Sequence, residues 1–370
     1  MSGYCLYHSI GTYPAKQADT AQALAQFAEI WSREDDNQWP QALGARDRFI
    51  RSWERLIRAP EGTMTTVENV TVALSSLIGA LPGEYLRGKR VLIAEDCFPS
   101  LHFLLAGLEE RFGFRLDTVP LRQGQAYVED EDYLEHWGED VGLAVITWVT
   151  STASKRADLS ALAARARETR ALTVVDITQG VGILPFAVGD FDVVIGSSLK
   201  WLCGFSGAGM LYVRTALLDR CEPELRGWFS QPNPFSWALD SFSYAPDARR
   251  FDHGTPAVLA AVASQPGLDF VLDTGVEVLR AHNLRLTRQL IAMAPDLGLV
   301  LASPVQEDRR GGSVMLKAQS VERAKVLVAH LKSQQIFVDH RGETLRFSPG
   351  IVTSEADLAR LPDLIGSYAA

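Results

Sequence analysis

Phe191-Asp192-Val193-Val194-Ile195-Gly196-Ser197-Ser198-Leu199-Lys200-Trp201 begins as an apolar, β-branched run and ends on a lysine. The glycine-rich turn Gly204-Phe205-Ser206-Gly207-Ala208-Gly209 follows at once. The run reads as a buried strand and the glycines as its exit. A lysine delivered by a rigid strand into such a turn is partly removed from water. Desolvation lowers an ammonium pKa and exposes a nucleophilic amine.

Working outward, Thr173-Val174-Val175-Asp176 places a carboxylate at the end of a second apolar run. Further strands are expected at residues 91–95, 116–121, 143–149 and 210–213, with a helix over 159–170 capped by Asp158. Short apolar runs separated by helices imply an α/β fold with a mostly parallel sheet covered on both faces. After about residue 244 the pattern changes. A long helical stretch over 256–294 precedes strands at 313–318, 336–339 and 344–348, with helices near 321–333 and 355–368, the layout of a small α+β unit. Asp176 and Lys200 both end predicted parallel strands, where open α/β sheets hold their ligands. A Schiff-base lysine and an aspartate for a pyridinium nitrogen are the protein groups that pyridoxal phosphate chemistry needs. Lys200 and Asp176 are therefore the candidate catalytic pair.

Composition narrows the classes. A formal net charge of -9 leaves no basic surplus to meet nucleic-acid phosphates. No apolar run approaches the ~18 residues that cross a bilayer, and the first residues lack a signal peptide's pattern, so a cytoplasmic enzyme is expected. Cys5, Cys97, Cys203 and Cys221 are scattered and the histidines unclustered, so no metal site is expected. The acidic run Glu129-Asp130-Glu131-Asp132 reads as a solvated loop or helix start. Residues 83–90 nearly spell a phosphate-binding Walker loop, but Arg90 stands where a hydroxyl is needed and a strand follows instead of preceding. Ser197-Ser198-Leu199-Lys200 fits the SxxK pattern of acyl-serine enzymes without its companion elements.

The block 197–204, ending in Gly207-Ala208-Gly209-Met210-Leu211-Tyr212-Val213-Arg214, resembles the cofactor-lysine region of class V aminotransferases. That family has the fold-type I architecture and includes cysteine desulfurases and kynureninases. Further segments resemble kynureninase, in matching order along nearly the whole chain. They are Val70-Thr71-Val72, Phe98-Pro99-Ser100, Gly227-Trp228-Phe229, Arg250 to Pro256, and Arg346-Phe347-Ser348-Pro349. The resemblance implies that Lys200 carries pyridoxal 5'-phosphate as a Schiff base and shuttles the substrate Cα proton. It implies that Asp176 keeps the ring nitrogen protonated, Phe98 stacks on the ring, and Gln179 reaches the ring's 3-oxygen. Val70, Thr71, Ser198, Trp228 and Thr255 would hold the phosphate, Thr255 from a partner subunit. Arg346 would grip the α-carboxylate of an amino-acid substrate, and the N-terminal Thr12 and Tyr13 would lie over it. A homodimer with shared sites follows. The large cofactor domain is expected at residues 15–245. The small domain is expected at 246–370 together with the arm 1–14.

The chain also departs from the kynureninase pattern. Leu199 replaces the tyrosine before the lysine, Gln179 a histidine, and Leu101 an aspartate after Phe-Pro-Ser. These changes strip polar groups from the pocket. The last cysteine is Cys221, which disfavours persulfide chemistry. Amino transfer, hydrolytic Cβ–Cγ cleavage, other β-lyase or epimerase chemistry, and a catalytically inactive relative all stay open.

Overall fold

A computed structural model describes residues 3–366 of the chain. The strands are β1 Gly3–Tyr4, β2 Met64–Val67, β3 Arg90–Ala94, β4 Arg115–Val119, β5 Val141–Thr147, β6 Leu172–Asp176 and β7 Val193–Ser197. They continue with β8 Gly209–Val213, β9 Val300–Leu301, β10 Val314–Lys317, β11 Ile336–Phe337, β12 Asp339–Arg341 and β13 Thr344–Phe347. The seven strands of the large sheet lie in the order β2-β8-β7-β6-β5-β3-β4. Only β8 runs antiparallel to its neighbours. Alternate side chains of one strand enter different cores: Leu92, Ala144, Ile146 and Val175 join one cluster, and Val91, Ile93, Leu143, Val145 and Val174 the other. Both sheet faces are thus covered, which is why these strands read as unbroken apolar runs. Asp158 caps its helix as expected, accepting from the amides of Ser160 and Ala161.

The C-terminal unit packs the antiparallel sheet β12-β13-β10-β9 against the helix Val321–Ser333 and the end of the helix Val276–Met293. Three expectations change. The helical stretch over 256–294 is two helices, broken at Gly275, whose φ of +87° a residue with a Cβ rarely adopts. The first of them, Val258–Thr274, packs on the large unit through Ala261, Leu268 and Val271. The small unit's core cluster takes in Leu286 and Leu290 from the second helix. The strand expected at 336–339 is divided between β11, which pairs with β1, and β12, which forms a hairpin with β13. The expected helix over 355–368 is two short helices, Glu355–Ala359 and Leu361–Gly366; Tyr368 lies outside the described residues, as do Met1 and Ser2.

The N-terminal arm ties the units together. Cys5 joins the small core, Tyr7 and Tyr13 the large one. The acidic run is a helix start, but not a solvated one. Asp130 pairs with the buried Lys155, and Glu129 with Arg309 at 2.5 Å, so this run locks the large unit to the loop before β10.

Candidate active site

Lys200 emerges just past β7 and Asp176 is the last residue of β6, so neighbouring parallel strands deliver both to one edge of the sheet. Asp176 is buried, 5% exposed, and its Oδ1 accepts from the Thr178 amide at 2.9 Å. Burial raises its carboxyl above the usual range against the hydrogen bonding of Thr178 and the charge of Lys200. Burial also pushes the Lys200 amine down to about 8; Asp176 opposes this and Arg346 adds to it. The charge of each group acts on the other. Lys200 Nζ stands 5.5 Å from the centre of the Phe98 ring, which is 41% exposed.

The arm forms a wall beside the lysine. Gly11 N–H donates to the Leu199 carbonyl at 2.9 Å, and a Cβ at residue 11 would lie 1.7 Å from the Lys200 oxygen. Only glycine lets the two backbones approach this closely. Lys16 fastens the contact, donating to the carbonyls of Gly11 at 2.7 Å and Gly204 at 3.3 Å. This arm brings in His8, a residue sequence reasoning missed. Its Nε2 faces Asp339 Oδ1 at 3.0 Å and its Nδ1 meets Ser348 Oγ at 2.7 Å. Burial lowers the imidazole pKa, the Asp339 hydrogen bond opposes that, and the charges of Arg346 and Lys200 add to it. Arg346, buried on β13, donates through Nε and Nη2 to both Asp339 oxygens at 2.8 and 2.5 Å, and through Nη1 to the Ser151 carbonyl at 3.2 Å. Burial alone would raise the Asp339 carboxyl, but His8 and Arg346 hold it well below the usual carboxylate range.

The remaining expected residues divide. Val70 and Thr71 open the helix Val70–Ile78, whose N-cap Asn69 accepts from the Val72 amide. The first two amides therefore point off the helix end, as an anion site requires. Ser198 is a correction. It is fully buried and its hydroxyl donates to the Ala208 carbonyl at 2.7 Å, so it closes the glycine turn and has no proton left for a phosphate. Gln179 donates one amide proton to the His8 carbonyl at 3.1 Å, so it positions the arm. Tyr13 stacks on Phe270 with ring centres 4.4 Å apart, while the Thr12 carbonyl accepts from Tyr7 Oη at 2.5 Å. Trp228 packs among Trp39, Phe229 and Phe235. Exposed Thr255 lines a crevice with Arg46, Glu68 and His253, and Gly227 presses on the His253 backbone. Gly207 and Ala208, from the glycine turn that follows Lys200, and Val67, just before the helix Val70–Ile78, line the same crevice as Thr255. Leu101 is fully buried in the core, so this position adds nothing polar to the pocket.

A desolvated amine, a buried carboxylate, an aromatic face and a helix start with free amides suit pyridoxal phosphate. A carboxylate raised by burial is stabilised by a cationic N–H donor, which a protonated pyridine ring offers. Among the described residues no cluster of side chains suited to a metal ion occurs, and no helix is long and apolar enough to cross a membrane.

The family model described as aminotransferase class-V matches residues 52–349. A kynureninase of Deinococcus radiodurans is 30% identical over 342 residues, covering 84% of this chain and 80% of the relative. The uncharacterized aminotransferase YcbU of Bacillus subtilis is 25% identical over 331 residues, with coverage of 89% and 85%. Among solved structures, the apo cysteine desulfurase of Thermococcus onnurineus superposes with a TM-score of 0.85 at 17% identity, covering 98% of this chain and 93% of that one. The cystine C-S lyase C-DES, in complex with cysteine persulfide, gives 0.86 at 18% identity, with coverage of 98% and 97%. At these identities the two structures show a shared fold.

Proposed function

Since the chain belongs to the aminotransferase class-V family, and is a pyridoxal-phosphate-dependent enzyme acting on an amino acid, we propose that its reaction is amino transfer, carried out as a homodimer. When bound, pyridoxal phosphate supplies an electron sink for the pair left when the Cα–H bond breaks. Asp176 would hold the proton on the ring nitrogen, Phe98 would cover one ring face, and the amides of Val70 and Thr71 with the Thr71 hydroxyl would take the phosphate. Arg346 would receive the α-carboxylate and so fix Cα against Lys200.

Lys200 is the acid–base group. With a pKa of about 8, a useful fraction is free amine near neutrality, and its conjugate acid is strong enough to return the proton. Amino transfer asks Lys200 to take the Cα proton and return it across the C–N bond, after which one water supplies the oxo acid's oxygen. Hydrolytic Cβ–Cγ cleavage adds a further water step at the Cγ carbonyl and so asks for another acid–base group. The observation that carries the reading is that His8, the imidazole coupled to Lys200, is buried, with Nδ1 at 2.7 Å from Ser348 Oγ and Nε2 at 3.0 Å from Asp339 Oδ1, so the arm offers no solvent-facing base beside the lysine.

The second reading, Cβ–Cγ cleavage, is favoured by the 30% identity to a kynureninase. Stoichiometric formation of an oxo acid and pyridoxamine phosphate from the loaded enzyme and an amino acid supports amino transfer; release of anthranilate from kynurenine supports cleavage. Borohydride fixation followed by peptide mass spectrometry must place the pyridoxyl mass on Lys200.

Dimerisation is supported by the exposed apolar run Phe235, Trp237 (79% exposed) and Leu239 (99%). A second copy of the chain would cover that run and bring Thr255 to its partner's phosphate. The four buried, free cysteines favour the cytoplasm.

A further inference from the structure

Asp339 and Arg346 are direct cross-strand partners on β12 and β13, so their pairing is fixed by register and not by chance contact. A guanidinium has five N–H donors. Three are committed here: Nε and one Nη2 proton to Asp339, and one Nη1 proton to the Ser151 carbonyl. The two left over sit one on each terminal nitrogen, the arrangement that a carboxylate accepts two-pronged. The charge of Arg346 is meanwhile cancelled by Asp339. His8 Nε2 lies 3.0 Å from Asp339 Oδ1, the oxygen that also accepts from Arg346 Nε, and the exposed Arg341 lies 3.6 Å from Oδ2. Asp339 remains 28% exposed at its side chain, so its negative charge is open to whatever binds. Lys200 and Asp176 are the other charged groups coupled to this cluster.

We infer that Asp339 is a specificity-determining residue: paired along one edge of Arg346, it leaves a neutral two-pronged slot that takes a single carboxylate and repels substrates that carry a second acid a few ångströms from the first. This rests on Arg346 being the α-carboxylate site. A free arginine attracts any anion, and more strongly the more charge it carries. A cancelled one selects by hydrogen-bond geometry, and the exposed Asp339 penalises the second charge. Two like charges about 5 Å apart at a partly wet site interact by enough to change affinity on the order of tenfold or more.

The test is calorimetric binding of butyrate and succinate, four-carbon chains with one and two acids, to the cofactor-loaded enzyme. Wild type is expected to bind butyrate at least ten times more tightly than succinate; equal or better binding of succinate overturns the inference without any variant. Asp339→Asn keeps the shape and removes the charge. It is expected to tighten succinate binding at least tenfold more than butyrate binding, and an equal change for both ligands overturns the inference. Arg346→Gln separates this from the underlying reading. If it binds butyrate as well as wild type does, Arg346 is not the carboxylate site and both fall. If butyrate binding is lost with Arg346→Gln but succinate is not favoured by Asp339→Asn, only the role of Asp339 falls. Chemical shifts of the His8 imidazole supply a readout independent of turnover, and are expected to move on butyrate binding in wild type.

Discussion

Replacing Lys200 with methionine should make the apoprotein more stable near neutral pH, although it removes the residue the chemistry depends on. Burial moves the Lys200 amine from 10.5 to about 8. At ~1.36 kcal/mol per pH unit this corresponds to about 3 kcal/mol of cost for holding the charged form inside the fold. Below pH 8 the lysine is protonated in both the folded and unfolded chain, and the folded state bears that cost in full. Between pH 8 and 10.5 the folded amine has shed its proton while the unfolded one keeps it. The unfolded state then binds more protons, stability rises with pH, and the cost fades. Methionine fills nearly the same volume without charge. Its expected advantage is about 2–3 kcal/mol at pH 7, below the ceiling because Asp176 loses a favourable cationic neighbour, and it should shrink toward zero by pH 10.5. Urea unfolding of the two apoproteins at pH 7, 9 and 10.5 measures the difference, and titrations common to both chains cancel. A methionine variant that is less stable at pH 7, or whose advantage does not change with pH, refutes the desolvation account of Lys200.

Asp176→Asn removes the charge that holds the Lys200 amine up, so in the apoprotein the pH midpoint for acylating Lys200, followed by peptide mass spectrometry, should fall below that of wild type. Turnover of the loaded variant should nevertheless drop by on the order of a hundredfold or more, because the ring nitrogen loses its counter-charge. Phe98→Ala should leave the thermal unfolding of the apoprotein unchanged, since its ring is 41% exposed, and weaken cofactor retention about 3- to 10-fold, the worth of one stacked ring. Gly11→Ala should lift the arm away from the Lys200 backbone, seen as faster tryptic cleavage at Lys16 and reduced turnover with the large sheet intact; unchanged cleavage and rate would show that the close approach has no consequence.

Much of the fold was legible because parallel strands covered on both faces cannot hide their character. Every residue of β6 and β7 is buried, and each strand is apolar or β-branched nearly throughout. Strand β2 escaped because Met64-Thr65-Thr66-Val67 is short and half polar; Thr65 is buried only because its hydroxyl serves the Arg46–Asp252 pair. The break at Gly275 escaped because a glycine inside an amphipathic stretch gives no sign of its φ. The same rule separates the site residues that were found from those that were not. Lys200 and Asp176 follow from strand ends, which are local. Ser198 was found by position, but its role depends on a carbonyl ten residues later, and the sequence says nothing about where that carbonyl points.

His8 and Asp339 mark the limit of local reading, because they are 331 residues apart and neither sits in a recognisable motif. What joins them is a register decided by one short turn. Had β11 continued through residue 339, as the apolar run Ile336-Phe337-Val338 suggests, Asp339 would belong to the pairing with β1. Instead the chain leaves β11 at Val338, and Gly342, at a φ of +54°, reverses it within the hairpin. That turn sets Asp339 opposite Arg346. A slip of one residue would send the aspartate to the other face of the sheet and leave Arg346 buried without a counter-charge, an arrangement that costs several kcal/mol. The hairpin is thus under two demands at once, the satisfaction of a buried arginine and the shape of the slot beside Lys200. Any substitution at Gly342 that shifts the register should disturb stability and carboxylate selectivity together.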